Sequence, residues 1–312
     1  MLFLTESHVR SLLPMADCIQ RMREAFQSMA AGSAQNQPRR RLVLPSGSAL
    51  HSMAGGWENY FGTKVYSTNL KHGANFFFLL FDAGTARPLA MMEANYLGQI
   101  RTGAASGLAT DLLALPGAKT LGVIGSGFQA RSQVEAIQQV RAIGEIRVWS
   151  RDPAKRRTFA EACASPGVLA EPVDSAEAAV RDADIVITAT SSRDPVVEER
   201  WIAPGCHVNA MGSNQPQRRE IPAALVERAS VVAVDSVEQA RIEAGDLLMA
   251  WSDGDWNSPK LVELKDLVGR KRERAADAVT IFKSLGVGVE DVAAGALVYE
   301  RARELGLGKE GL

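Results

Sequence analysis

The stretch Thr120-Leu121-Gly122-Val123-Ile124-Gly125-Ser126-Gly127-Phe128-Gln129-Ala130 decides the fold. An apolar run ends in Gly125-x-Gly127-x-x-Ala130 and a helical pattern follows, which is the layout of a dinucleotide-binding turn. Gly125 permits the tight turn off the strand. Gly127 has no Cβ, so the backbone can come close to a pyrophosphate, and Ala130 is small enough for the helix to pack on the sheet. The first helical N–H groups and the helix dipole then face the phosphates. Gly125, Gly127, Phe128 and Gln129 are therefore candidate cofactor-binding residues.

Working outward, the chain changes rhythm near Lys119. On the C-terminal side, strands and helices alternate: Thr120–Ile124, helix 128–141, Ile146–Trp149, helix 153–164, 168–172, helix 175–181, 184–190, then strands 207–211 and 230–234. That alternation predicts a parallel, doubly wound α/β sheet. Asp152 followed by Pro153 is a natural helix start. On the N-terminal side, residues 5–29 read as two helices split at Pro14. Strand-like pieces follow at 41–44, 48–54, 62–67, 76–82 and 88–93 without intervening helices, which predicts an antiparallel sheet. A long helix is expected at 96–113. A last helix at 289–305, with no strand after it, is expected to pack back on the first half.

Composition narrows the class. The chain has 312 residues, 46% apolar and 23% charged, with a net charge of −1. That balance gives no reason to expect nucleic acid or an anionic membrane as the main partner. No apolar run is long enough to span a membrane. Cys18, Cys163 and Cys206 are scattered and show no metal-ligand spacing, so no metal is expected, and neither is a signal peptide. A reducing, cytoplasmic setting is the expectation.

The end of the second strand of a dinucleotide fold meets the adenosine ribose, where an Asp or Glu marks NAD. Here it reads Val148-Trp149-Ser150-Arg151. Ser150 can hydrogen-bond a 2′-phosphate and Arg151 can lie against it. NADP(H) is therefore expected to be preferred, with NAD(H) possible if Asp152 reaches the ribose instead of capping its helix. Thr188, Thr190 and Ser191 follow the fourth strand and are candidates for the nicotinamide ribose. Met211 and Ser284 are candidates for the nicotinamide ring and its carboxamide.

Further segments carry a family likeness: Arg41-Leu-Val-Leu-Pro45, Thr63-Lys64-Val65, Ile100-Arg101-Thr102-Gly103-Ala104-Ala105, Pro204 to Gly212, Phe282-Lys283-Ser284-Leu285-Gly286 and Glu290-Asp291. Their order and spacing resemble the ornithine cyclodeaminase/mu-crystallin family over nearly the whole chain. The resemblance implies a Rossmann domain at 116–287. It also implies an α/β substrate-binding and dimerisation domain formed by 1–115 and 288–312, and a homodimer. Arg41, Lys64 and Arg101 match the family's cationic substrate positions. An amino- or imino-acid carboxylate held in a dry pocket must be paired, and Arg41 offers a planar fork for it. Lys64 can also donate a proton to the substrate nitrogen if its pKa is lowered. Arg101 is expected just before a small-residue helix, with Thr102 touching the cofactor at that N-terminus.

One residue departs from the cyclodeaminase pattern: Asn214, in Gly212-Ser213-Asn214-Gln215-Pro216, stands where cyclodeaminases have an aspartate. An amide cannot act as a base at neutral pH; it can only orient a water or an amine. The expected activity is therefore reduction of a preformed cyclic ketimine acid, a pyrroline- or piperideine-2-carboxylate. The rivals are ornithine cyclodeaminase, an alanine-type dehydrogenase, or a binding protein that holds the dinucleotide without turnover. The loop 71–75 is expected to border the nicotinamide pocket. His51, His72 and His207 lack triad or metal partners and read as structural, while Asp235 and Glu243 are candidates for the pocket rim.

Overall fold

The computed structural model describes residues 1–269 and 274–311, which divide into two compact units, Met1–Ala105 with Gly286–Leu312, and Ser106–Leu285. The chain passes between them inside the helix Asn95–Leu113, whereas the sequence-based boundary lay at the helix's end. The last turns of that helix bond within the second unit. Thr110 accepts a hydrogen bond from Asn209 Nδ2 at 3.0 Å, and the Arg141 guanidinium donates to the carbonyls of Thr110, Asp111 and Ala114.

In the first unit, the strands run across one sheet in the order Lys309–Glu310, Leu2–Leu4, Pro88–Glu93, Gly73–Asp82, Tyr60–Asn69, Ala49–Trp57 and Gln35–Asn36, with Arg40–Val43 also on Ala49–Trp57. Only the pair Leu2–Leu4 and Pro88–Glu93 is parallel among these described strands. The expectation of no strand after the last helix is corrected, because Lys309 and Glu310 pair with Phe3 and Leu2. Gly306, in the left-handed conformation at φ 64°, ends that helix and turns the chain back to the open edge of Leu2–Leu4, whose backbone groups it satisfies.

Strand alternation gives this sheet two different faces. Leu42 lies opposite Leu50, Leu50 opposite Ser67 and Ser67 opposite Asn75, so these share one face with Phe77. Arg41, His51, Tyr66 and Phe76 face the other way, with the His51 and Tyr66 rings stacked at 4.3 Å and Tyr66 on Phe76 at 5.0 Å. Lys64 shares this second face. The helices Met15–Ala30 and Gly288–Leu305 pack together, and the latter also lies on the strands Ala49–Trp57 and Tyr60–Asn69. The approach is backbone to backbone: a Cβ on Gly55 would stand 2.5 Å from the Val289 nitrogen.

The second unit holds a sheet of parallel strands in the order Leu169–Pro172, Glu145–Trp149, Thr120–Ile124, Ile185–Thr188, His207–Ala210, Thr280–Lys283, Val231–Val234 and Leu261–Glu263. Strand order reverses beside Thr120–Ile124, the place where such sheets bind ligands at their carboxyl ends. Both faces are covered. Ile185 and Ile187 join Val134, Ile137 and Phe159 in one core, while Val186 joins Val208, Ile281 and Leu225 in the other. Leu261–Glu263 and Thr280–Lys283 escape the sequence reading because both are short and the second is buried on both sides, which erases alternation. Among the described residues no helix is long and apolar enough to cross a membrane.

Gly55→Ala should lower stability by about 1–3 kcal/mol in urea unfolding, because its Cβ meets main-chain atoms that cannot rotate away. Gly56→Ala, whose Cβ would meet nothing closer than 3.6 Å, should cost far less.

Candidate functional site

A cavity of about 540 Å³ lies at the carboxyl ends of the strands of the second unit. Of the residues predicted to hold a cofactor, Gly125, Gly127, Phe128, Gln129, Ser150, Arg151, Thr190, Ser191 and Met211 line it, together with Ser126, Trp149, Asp152, Lys155 and Gly212. Gly125 adopts φ 110°, and any Cβ there would strike the Ala189 carbonyl oxygen at 2.4 Å. Gly127 differs: a Cβ there would meet no protein atom within 4 Å, so protein packing leaves the space beside it open to the cavity. The helix Phe128–Val140 starts there without a side-chain cap from Gly127, and its positive end faces the cavity, as suits an anion.

At the tip of Glu145–Trp149, the Ser126 and Ser150 hydroxyls lie 2.9 Å apart. The Asp152 carboxylate accepts from the Ala154 and Lys155 amides at 3.0 and 3.1 Å, as a helix cap, and these bonds hold its pKa below the usual carboxylate range. Arg151 and Lys155 supply positive charge at the same rim.

The first unit holds a second polar cluster. Lys64 is only 2% exposed, and its ammonium donates to Asp291 Oδ1 at 2.7 Å. Arg101 donates from Nε to the same oxygen at 2.9 Å and from Nη1 to Glu290 Oε2 at 2.7 Å. Arg39, buried, donates to the Gly286 carbonyl at 3.3 Å and to Met53 Sδ at 3.4 Å. Burial first, and the Arg101 charge second, pull Lys64 down to about 7, against the upward pull of Asp291. Arg41 is half-buried, and its charge adds to burial in holding His51 at about 4. The cluster is dry and rich in cations, suited to an organic carboxylate, and Lys64 can give or take a proton near neutrality.

A family model described as ornithine cyclodeaminase/mu-crystallin family matches residues 1–306. The chain belongs to the ornithine cyclodeaminase/mu-crystallin family. A Δ1-pyrroline-2-carboxylate reductase of Bacillus cereus is 36% identical over 88% of this chain and 85% of its own. The solved Δ1-pyrroline-2-carboxylate reductase of Thermococcus litoralis, in complex with NADH and L-proline, superposes with TM-score 0.94 at 32% identity, covering all of both chains. A solved archaeal alanine dehydrogenase dimer with bound NAD gives TM-score 0.93 at 31% identity, covering 100% of this chain and 99% of that one.

Within this family member, several expected positions differ from the sequence reading. Thr188 is buried and lies outside the cavity, because its hydroxyl donates to Glu220 at 3.0 Å. Ser284 is also buried outside it, its amide donating to the Ala210 carbonyl at 3.2 Å. Arg101 and Thr102 do not sit at a helix N-terminus. The helix begins at Asn95, where Glu6 accepts from the Asn95 and Tyr96 amides, and the Thr102 hydroxyl donates back to Gly98 at 2.7 Å. Asn214 is half-buried in the turn after His207–Ala210 and is not among the cavity-lining residues. Asp235 and Glu243 are buried beneath the surface and do not line the cavity. The stretch 71–75 belongs to a tight hairpin in which Asn69 stands opposite Gly73. The sequence reading gave no role to Arg39, Glu290, Asp291, Glu220 or Lys283. The signal was there for Glu290, Asp291 and Lys283, each a charged residue inside an apolar or small-residue element, which must be paired when buried; Glu220 follows Arg218 and Arg219 in an irregular polar stretch and carries no such signal.

Lys64 holds its proton to about 7 in the folded chain against 10.5 for an ordinary lysine. Between these values the unfolded chain binds the extra proton, so stability rises with pH across that window and is fully gained above it. Lys64→Met should flatten that slope in denaturation measured from about pH 6 to 11.

Proposed function

We propose that this chain reduces a cyclic ketimine acid, pyrroline- or piperideine-2-carboxylate, to the corresponding cyclic amino acid. It is an oxidoreductase of the ornithine cyclodeaminase/mu-crystallin family. The observation that carries the proposal is the buried Lys64, paired with Asp291 beside Arg101 and poised to exchange a proton at neutral pH.

Gly125, Gly127 and the amides opening Phe128–Val140 would hold the pyrophosphate of a nicotinamide dinucleotide, and Thr190, Ser191 and Met211 its nicotinamide half. Bound and reduced, that group supplies hydride to a C=N carbon. The remaining work belongs to the protein. Arg41 and Arg101 bind the substrate carboxylate and fix the ring's orientation. Lys64 protonates the nitrogen, or keeps it protonated as hydride arrives, so the balance is one imine, one hydride and one proton giving one secondary amine. Asn214 orients without acting as a base, which disfavours release of ammonia from an acyclic diamine. Ser150, Arg151 and Lys155 support a preference for NADPH, since Asp152 is occupied as its helix cap.

With purified protein, NADPH should be consumed with pyrroline-2-carboxylate, at a higher kcat/KM than NADH. kcat/KM should fall as pH rises above about 7, and Lys64→Ala should abolish turnover while leaving NADPH affinity nearly unchanged. Ammonia release from L-ornithine with NAD⁺ would instead restore the cyclodeaminase reading. NADH formation with L-alanine would favour the dehydrogenase.

We also infer a homodimer built on the apolar sheet face of the first unit. Leu42, Leu50 and Phe77 are 61%, 47% and 37% exposed there, in strands of one sheet, and such a patch asks for a cover. Light scattering should give twice the chain mass, and Leu50→Glu should shift it to the monomer.

A further inference from the structure

Glu220 has no role in the chemistry above, yet it is completely buried. Its Oε1 accepts from the Thr190 amide at 2.6 Å. Its Oε2 accepts from the Gly212 amide at 2.6 Å and from the Thr188 hydroxyl at 3.0 Å. Thr190 follows the strand Ile185–Thr188 and Gly212 follows the neighbouring strand His207–Ala210. Both residues line the cavity, on the side away from the Ser150–Arg151 tip of Glu145–Trp149. In a sheet of this order that side receives the nicotinamide half and the tip receives the adenosine.

A second buried pair supports the same turn. The Glu220 and Ile221 amides donate to Asp246 Oδ1 at 2.6 and 3.1 Å. Asp246 pairs with Lys283 at 2.8 Å, and the Lys283 ammonium donates to the Ser213 carbonyl at 2.6 Å. The turn after His207–Ala210 is thus gripped at the Gly212 N–H from one side and at the Ser213 carbonyl from the other. Asn214 follows directly.

We propose that Glu220 is a positioning residue whose carboxylate clamps the turns after two adjacent strands, and so sets the nicotinamide half of the dinucleotide cavity without shaping the adenosine half. The proposal rests on the reading of that cavity as a dinucleotide site. An unclamped loop at this place would have to order itself when the cofactor arrives; the clamp has the two walls in place beforehand. A carboxylate suits the task because three donors converge on it, from two amides and a hydroxyl. A glutamine can offer only one carbonyl oxygen, and its NH₂ would face one of those donors.

The test compares two probes on wild type and Glu220→Gln: NADPH, which spans the cavity, and ADP, which reaches only its adenosine and pyrophosphate part. NADPH should bind about tenfold or more weakly to the variant, and ADP within about twofold of wild type. Equal weakening of both would mean general loosening of the fold and would overturn the clamp, as would no change in either. Should the variant fail to fold, hydrogen exchange of the Thr190 and Gly212 amides in wild-type protein gives an independent answer. The clamp requires both to be protected before NADPH is added, and exchange at open-loop rates would overturn it. Failure of wild type to bind any nicotinamide dinucleotide would refute the cavity reading itself, and it shows before any substitution is made.

Discussion

The first unit depends on the shared carboxylate of Asp291. Lys64 and Arg101 both bond its Oδ1, and all three side chains are buried. Charges taken out of water cost several kcal/mol each unless paired, and removing one partner of such a set typically costs about 3–5 kcal/mol. The partners come from three distant parts of the chain: the strand Tyr60–Asn69, the helix Asn95–Leu113 and the helix Gly288–Leu305. The last helix is therefore held on the sheet by an electrostatic need as well as by the close backbone contact at Gly55 and Val289. The same cluster brings cations to a dry place and lowers Lys64 into the physiological range. Under the proposed function, stability and chemistry are two consequences of one buried network.

The second unit meets a similar problem with backbone groups. A parallel sheet ends in a row of turns whose amides need acceptors. At Gly127 the helix start carries no side-chain cap and faces the cavity. At Thr190 and Gly212 the amides are closed by Glu220. An uncapped helix start suits an anionic ligand, and closed amides suit a wall that holds its shape. Lys283 is buried like Lys64, pairs with Asp246 and donates to the Ser213 carbonyl, so its charge holds a turn of the backbone.

Much of this was legible in the order of residues. The glycine turn, the change of rhythm near Lys119 and the Asp152–Pro153 helix start are local signals, and most strands and helices lie within a few residues of their expected places. The cavity residues around Gly125, Ser150 and Thr190 followed from them, because a strand-turn-helix unit places its turn without help from the rest of the chain. Thr188 and Ser284 did not follow. Whether a hydroxyl at a strand end faces a ligand or a buried carboxylate depends on what another segment brings alongside, and Glu220 is far away in sequence. Thr280–Lys283 was missed for a related reason: a strand buried on both faces carries no alternation to read.

The sequence by itself determined the class of the fold, the glycine turn, the family, and the cationic character of Arg41, Lys64 and Arg101, because each is written in short-range pattern or in the identity of single side chains. Tertiary structure alone decided who pairs with whom. It put Asp291 between Lys64 and Arg101, Glu220 between two turns, and the chain's last strand against its first. Those pairings join residues far apart in the chain, and their strength comes from burial, which no single stretch of sequence contains.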